Sequence, residues 1–227
     1  MKLSKETLSK LKSFSEINSN ILLTSGKILK TVNPSKSLLG QTTIEEELGV
    51  GEGFGIYDLN EFLGVLSLFT DPDLNFSEKF VTINEGKSSI KYFAANKEVL
   101  VYPVKDIAFP APVITFTLTA DVINSIRRAA SVLNVSCIHF SGDGSTLSVN
   151  VGEVNNATST SYSTSIATTD KTFNAILKVE HFKLIPADYQ VDLALIGEGS
   201  ARKCISRFTS KENMFYIAVE AASTFDF

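Results

Sequence analysis

Histidines, cysteines and glycine-rich loops are where this sequence could do chemistry, and each is sparse. His139 lies in Cys137-Ile138-His139-Phe140 and His181 in Glu180-His181-Phe182. No Gly-x-Ser-x-Gly turn accompanies them, so neither histidine has a serine to activate. Both read as structural or surface side chains. Cys137 and Cys204 stand in apolar stretches without a CxxC partner, as ordinary buried thiols do. No HExxH, Cys/His cluster or calcium-loop spacing is present, so no metal is expected. Gly51-Glu52-Gly53-Phe54-Gly55 lacks the third glycine of a dinucleotide loop and precedes a strand rather than a helix. A turn is the better reading. No catalytic residue and no cofactor are expected, and nothing supports an enzyme.

Charge is more informative than nucleophiles. The 227 residues carry 21 basic and 25 acidic side chains, a net of −4, which argues against a uniformly basic nucleic-acid glove. That average hides local asymmetry. Residues 1–36 hold seven lysines against Glu6 and Glu16, a local net of +5, whereas residues 37–62 hold six acids and no base. Basic side chains return on segments of helical period: Lys2, Lys5, Lys10 and Lys12, then Arg127 and Arg128, then Lys178, His181 and Lys183. Singly, such sets are solvated helix faces. Their recurrence in both halves of an acidic chain suggests a wall kept for a polyanion.

The elements that must position these charges follow from periodicity. A composition 44% apolar with mean hydropathy +0.12 is globular and fits one large domain or two small ones. Met1-Lys2-Leu3-Ser4-Lys5-Glu6 lacks a signal peptide's apolar core, and the apolar run at 63–69 is too short to span a membrane. A soluble, cytoplasmic protein is expected. Most of the chain reads as short strands with recurring turn signals. Strands are expected at 20–24 and 27–32, at 136–141 and 146–151 around Gly142-Asp143-Gly144, at 191–196 and 203–209 around Gly197-Glu198-Gly199, and at 214–220. Helical spacing predicts 4–17, 58–68 capped by Asp58, 120–133 capped by Thr119, and more weakly 178–184 before Pro186.

The order helix, strands, helix, strands over 1–95 recurs from 113 onward. Ile56-Tyr57-Asp58-Leu59-Asn60-Glu61-Phe62-Leu63 lies over Ile176-Leu177-Lys178-Val179-Glu180-His181-Phe182-Lys183 at an offset of 120. A period that long means a duplicated domain, not a solenoid. Between the copies, 96–112 carries Pro103, Pro110 and Pro112 and reads as a stiff connector. The expected division is a domain at 1–95, the connector at 96–112 and a second domain at 113–227.

Several blocks carry a family resemblance: Met1-Lys2-Leu3-Ser4-Lys5, Ile17-Asn18-Ser19, Ile56 to Asn60 with Phe62-Leu63-Gly64 and Leu66-Ser67-Leu68, and the closing Ser223-Thr224 and Asp226-Phe227. With them the chain resembles the replicative sliding clamps of large tailed bacteriophages, the DNA polymerase processivity factors. The resemblance spans essentially the whole length and is most specific at 57–68. Phe225 departs from it, standing where those clamps carry a polar residue, and much of 140–210 is looser.

The resemblance implies an α+β DNA-clamp fold: a duplicated domain of antiparallel sheets with two helices each, closing into a homotrimeric ring with helices lining the hole. The partners it implies are encircled double-stranded DNA, the replicative DNA polymerase, a clamp-loader ATPase and further copies of the chain, with no membrane. It places the protein in the cytoplasm of an infected bacterial host and adds a role in late transcription. Lys2, Lys5, Lys10, Lys12, Arg127, Arg128, Lys178, His181 and Lys183 are then expected to face DNA. A partner peptide is expected in an apolar pocket of Tyr102, Val104, Ile107 and Phe109 beside the connector, with Phe225 and Phe227 adding aromatics. The rival reading is a duplicated β-rich structural or virion protein whose basic helices are only solvated; an unrecognised hydrolase lacks a nucleophile–base pair.

Overall fold

A computed structural model describes residues 1–153, 159–197 and 203–227. The chain divides into two compact units, Met1–Asp106 and Ile107–Phe227, with the boundary inside the proline-bearing 96–112 stretch. The Gly197-Glu198-Gly199 turn lies partly outside the described residues.

Unit one opens with helix α1 (Lys5–Ser15), shorter at both ends than its periodicity predicts. The Ser4 hydroxyl caps it by accepting from the Thr7 N–H at 3.2 Å, satisfying one of the orphan donors of the first turn. Leu11 and Phe14 point inward, at 2% and 0% exposure. Strands β1 (Ile21–Leu23), β2 (Gly26–Val32), β3 (Leu38–Leu48) and β4 (Phe54–Ile56) follow, with β2 pairing β3 and β1 pairing β4. Helix α2 (Leu59–Leu66) starts at Asp58, whose carboxylate accepts from the Asn60 and Glu61 N–H groups, both at 3.0 Å. A three-stranded sheet β5 (Asp73–Phe76), β6 (Phe80–Glu85) and β7 (Ser88–Phe93) completes the unit. Edge-to-face rings tie helix to sheet, Phe62 on Tyr92 at 5.2 Å. Each buried Phe or Leu contributes about 1.5–3 kcal/mol of transfer free energy.

Unit two repeats the plan. Strand β8 (Ile114–Leu118) leads into α3 (Ala120–Leu133), capped by the Thr119 hydroxyl and closed by Asn134 in the left-handed region at φ 50°. Then come β9 (Cys137–Asp143), β10 (Thr146–Gly152), β11 (Tyr162–Thr168) and β12 (Thr172–Lys178), in spatial order β11-β10-β9-β12. This matches the β3–β2 and β1–β4 pairings of unit one. Strands β13 (Tyr189–Ile196), β14 (Lys203–Thr209) and β15 (Asn213–Ala218) pair consecutively as β5, β6 and β7 do, and the short β16 (Thr224–Phe225) joins β12. Even the pairing of β8 with β13 has its counterpart, because Met1 exchanges hydrogen bonds with Leu74 of β5 at 2.7 and 2.8 Å. Close approach is met by glycine at Gly142, where a Cβ would lie 2.5 Å from the Lys171 carbonyl oxygen.

One expected element is corrected. Residues 178–184 form no α-helix: β12 runs through Lys178 and a 3-10 turn, Val179–His181, follows. Ala175, Ile176 and Leu177 are buried in succession on β12. A continuous apolar run of that kind is indistinguishable from a buried helix by period alone. Among the described residues the second unit therefore has one α-helix, and the 3-10 turn occupies the place of α2.

Candidate nucleic-acid interface

The expected cations separate once the side chains are placed. Lys5 and Lys12 are exposed, seven residues apart on α1 and so on one face. Lys12 Nζ reaches Asn60 Oδ1 on α2 at 3.2 Å. Lys2 precedes the N-cap instead of sharing the helix face, and its ammonium is paired with Asp71. The hydrogen bond to Asp71 outweighs desolvation and raises its pKa.

Lys10 is a correction. It is 5% exposed, with Nζ on the Thr43 carbonyl oxygen of β3 at 2.8 Å and on Glu6 Oε1 at 2.7 Å. It is a tether between helix and sheet, not a DNA-facing charge. Glu46 of the same strand makes a second contact between sheet and helix. Glu46 accepts from the Ser4 N–H and from Thr7 Oγ1, the latter at 2.5 Å. Burial pushes the Glu46 carboxyl up, but these hydrogen bonds outweigh it and hold it below its ordinary value. A carboxylate at the first turn of α1 also suits the helix dipole.

On α3, Arg127 and Arg128 are adjacent and so point about 100° apart. Arg128 is exposed, with Nη2 at 3.4 Å from Ser125 Oγ. Arg127 is half-buried and donates to the Leu184 carbonyl oxygen, so it serves the loop before β13 rather than an outer face. His181 is likewise corrected: it is 8% exposed, and desolvation lowers its pKa, so the ring is neutral near pH 7. Lys178 is partly exposed and lies 3.8 Å from Glu180, and Lys183 is half-buried. Of the nine expected cations, those that are exposed and have no carboxylate partner among the described residues are Lys5, Lys12 and Arg128, on the equivalent helices α1 and α3.

The aromatics expected to receive a peptide fall on both units. In unit one, Val101 is tied by the Asn18 side chain, which donates to its carbonyl at 2.8 Å, and by its own N–H to Asn20 Oδ1 at 2.9 Å. Beyond it Tyr102 is half-buried and Val104 is 79% exposed. In unit two, Ile107 is 40% exposed, while Phe109 lies against Arg207 and Tyr216. Phe225 stacks parallel to Phe173, and Phe227 meets Lys171 Nζ at 4.4 Å. Both Phe225 and Phe227 are half-buried.

Neither cysteine is paired, and burial pushes the Cys204 thiol up to about 12. His139 Nδ1 meets Asn174 Oδ1 at 3.2 Å across β9 and β12. Among the described residues no group of three His, Cys, Asp or Glu could hold a metal ion, and no helix is long and apolar enough to cross a membrane.

The duplicated helix-and-sheet plan is that of the DNA-clamp fold. A solved structure of A. fulgidus PCNA bound to the C-terminal region of FEN-1 superposes at TM-score 0.66, with 94% of each chain covered at 10% identity. Residues 4–102 match the DNA polymerase processivity factor family. The sliding clamps of Escherichia phage RB69 and Enterobacteria phage T4 are each 31% identical over the full length of both chains. The chain belongs to the sliding-clamp family of DNA polymerase processivity factors. This full-length likeness favours the clamp over the structural or virion protein.

Proposed function

We propose that three copies close head to tail into a ring that encircles duplex DNA and tethers the replicative polymerase during synthesis in the infected bacterial cell. The observation carrying this reading is the placement of the exposed bases: Lys5 and Lys12 on α1 and Arg128 on α3, the same helix of each repeat. Ammonium and guanidinium groups meet phosphates without reading bases, so the attraction has no sequence register and permits sliding. Retention then comes from closure, and a net charge of −4 keeps DNA off the remaining surface.

Two strand edges support closure. β7 ends the three-stranded sheet of unit one and carries Phe93 at 65% exposure. β11 ends the five-stranded sheet of unit two, beside a groove of about 440 Å³ lined by Arg128, Ala129, Val132, Leu133 and Tyr162. Open edges invite pairing, and a heterologous contact between them closes a ring when the rotation allows. A loader ATPase would open such a ring, and an apolar peptide of the polymerase would dock along the connector. Through the same surface the ring would support late transcription. The test is retention: clamp loaded on nicked circular DNA stays bound and leaves when the circle is linearised. Equal loss from both forms would end the encircling reading.

A further inference from the structure

One ion pair in unit two, with its carboxylate buried and its guanidinium half-buried, has no part in the clamp reading as it stands. On the face of the sheet opposite Phe116, Phe208 and Phe215, the residues Thr115, Asp192, Arg207 and Tyr216 stand in one cross-strand row. The Asp192 side chain has no exposure. Its Oδ1 accepts from Thr115 Oγ1 at 2.8 Å and Gln190 Nε2 at 3.1 Å, and its Oδ2 accepts from Arg207 Nε at 3.2 Å and Nη2 at 2.7 Å. Every side of the carboxylate is occupied.

The guanidinium so held lies over the Phe109 ring, 4.2 Å from its centroid, and that ring is 6.0 Å from Tyr216. A buried ion pair is commonly no more stabilising than apolar side chains filling the same space, so stability alone does not account for Asp192. Orientation does. A guanidinium is a rigid plane with two faces, and bonding its Nε–Nη2 edge to Asp192 leaves a face for the aromatic ring.

We propose that Asp192 and Arg207 are positioning residues for the connector: Asp192 fixes Arg207, Arg207 holds Phe109, and Phe109 sets the course of the stretch that displays the exposed Ile107 to an apolar segment of the polymerase. This rests on the reading of the connector as a peptide-docking segment. Phe109 is then an anchor turned inward, and the neighbouring exposed apolar side chains are the ones a partner touches.

The experiment uses the full-length clamp and two readouts. Trypsin cleavage after the exposed Lys105 reports connector mobility without any partner, and titration with the purified cognate DNA polymerase reports docking. Phe109→Ala and Arg207→Lys should each speed cleavage at Lys105 roughly tenfold and weaken polymerase binding roughly tenfold, with circular dichroism unchanged. Arg207→Lys keeps the charge beside Asp192 and leaves Phe109 in place, so its effect cannot come from loss of a phenyl contact to the partner. Phe109→Tyr keeps the stack and should restore both readouts. Parental cleavage rates in Phe109→Ala and Arg207→Lys would overturn the anchor. Faster cleavage with unchanged polymerase affinity would uphold the anchor and overturn the docking reading.

Discussion

Lysines a few positions apart on α1 meet different fates, and the difference is one of angle around the helix. Lys5 and Lys12 look outward, whereas Lys10 turns over the sheet and is neutralised by Glu6 and the Thr43 carbonyl. Changing Lys5, Lys12 and Arg128 together to Glu should leave the melting temperature near the parental value but abolish processive synthesis at moderate salt. In the parent, raising salt should screen the same attraction. Undiminished product length in the triple variant would remove these helices from the DNA side. Lys10→Glu should instead cost about 3 kcal/mol of stability, read by urea unfolding, because it puts a carboxylate beside Glu6 at a buried position and leaves the Thr43 carbonyl without its ammonium donor. His181 belongs to the core as well. Its pKa is lowered by burial, so below the ordinary value of 6.5 the unfolded chain takes up a proton more readily than the folded one. The stability it contributes is present above that value and is lost as pH falls toward the folded pKa. The urea midpoint should therefore fall less in His181→Asn than in the parent between about pH 7.5 and about pH 5.5. Parallel decline in both proteins would show that this ring does not titrate in the core.

At the scale of elements, helix ends are held by side chains from elsewhere in the fold. Ser4 caps α1 locally, and Glu46 reaches from β3 to the same turn. Asp58 does the whole work at α2, taking both the Asn60 and Glu61 N–H groups. Asp58→Ala should cost about 1 kcal/mol, the usual loss for an N-cap. Glu46→Gln should cost a similar amount and make the first turn of α1 exchange its amide hydrogens faster. Exchange confined to its parental rate at Thr7 would mean that Ser4 alone suffices.

For the whole molecule the decisive quantity is mass. Strands β7 and β11 are sheet edges, the two on which the proposed head-to-tail closure rests. Phe93→Asp places a charge on the exposed rim of β7, a common device against strand pairing. If the parent sediments as the proposed trimer, the variant should sediment as a folded monomer at the same concentration, and it should be lost from circular and linear DNA alike. A trimer that survives Phe93→Asp would place closure on another surface.

What the sequence determined by itself was the set of locally decided features. The caps at Asp58 and Thr119, the span of α3 and the turn at Gly142-Asp143-Gly144 depend on neighbours within a few residues, and such patterns survive any tertiary context. The blocks at 57–68 likewise led to the family without reference to a fold. Tertiary structure decided the rest. Whether 178–184 began as helix or strand depended on β9, whose Cys137 pairs with Lys178 and draws the start of that stretch into the sheet. Asp192 in Val191-Asp192-Leu193 and Arg207 in Ser206-Arg207-Phe208 are charges inside apolar strands, a visible sign of burial, but only the β13–β14 register makes them partners. The same holds for Lys10, Arg127 and His181, whose charges look alike in sequence to those of Lys5 and Arg128. Whether a charge is spent inside the protein or left for DNA depends on which backbone carbonyl or carboxylate the fold brings within about 3 Å, and that distance is set by chain segments far away in sequence.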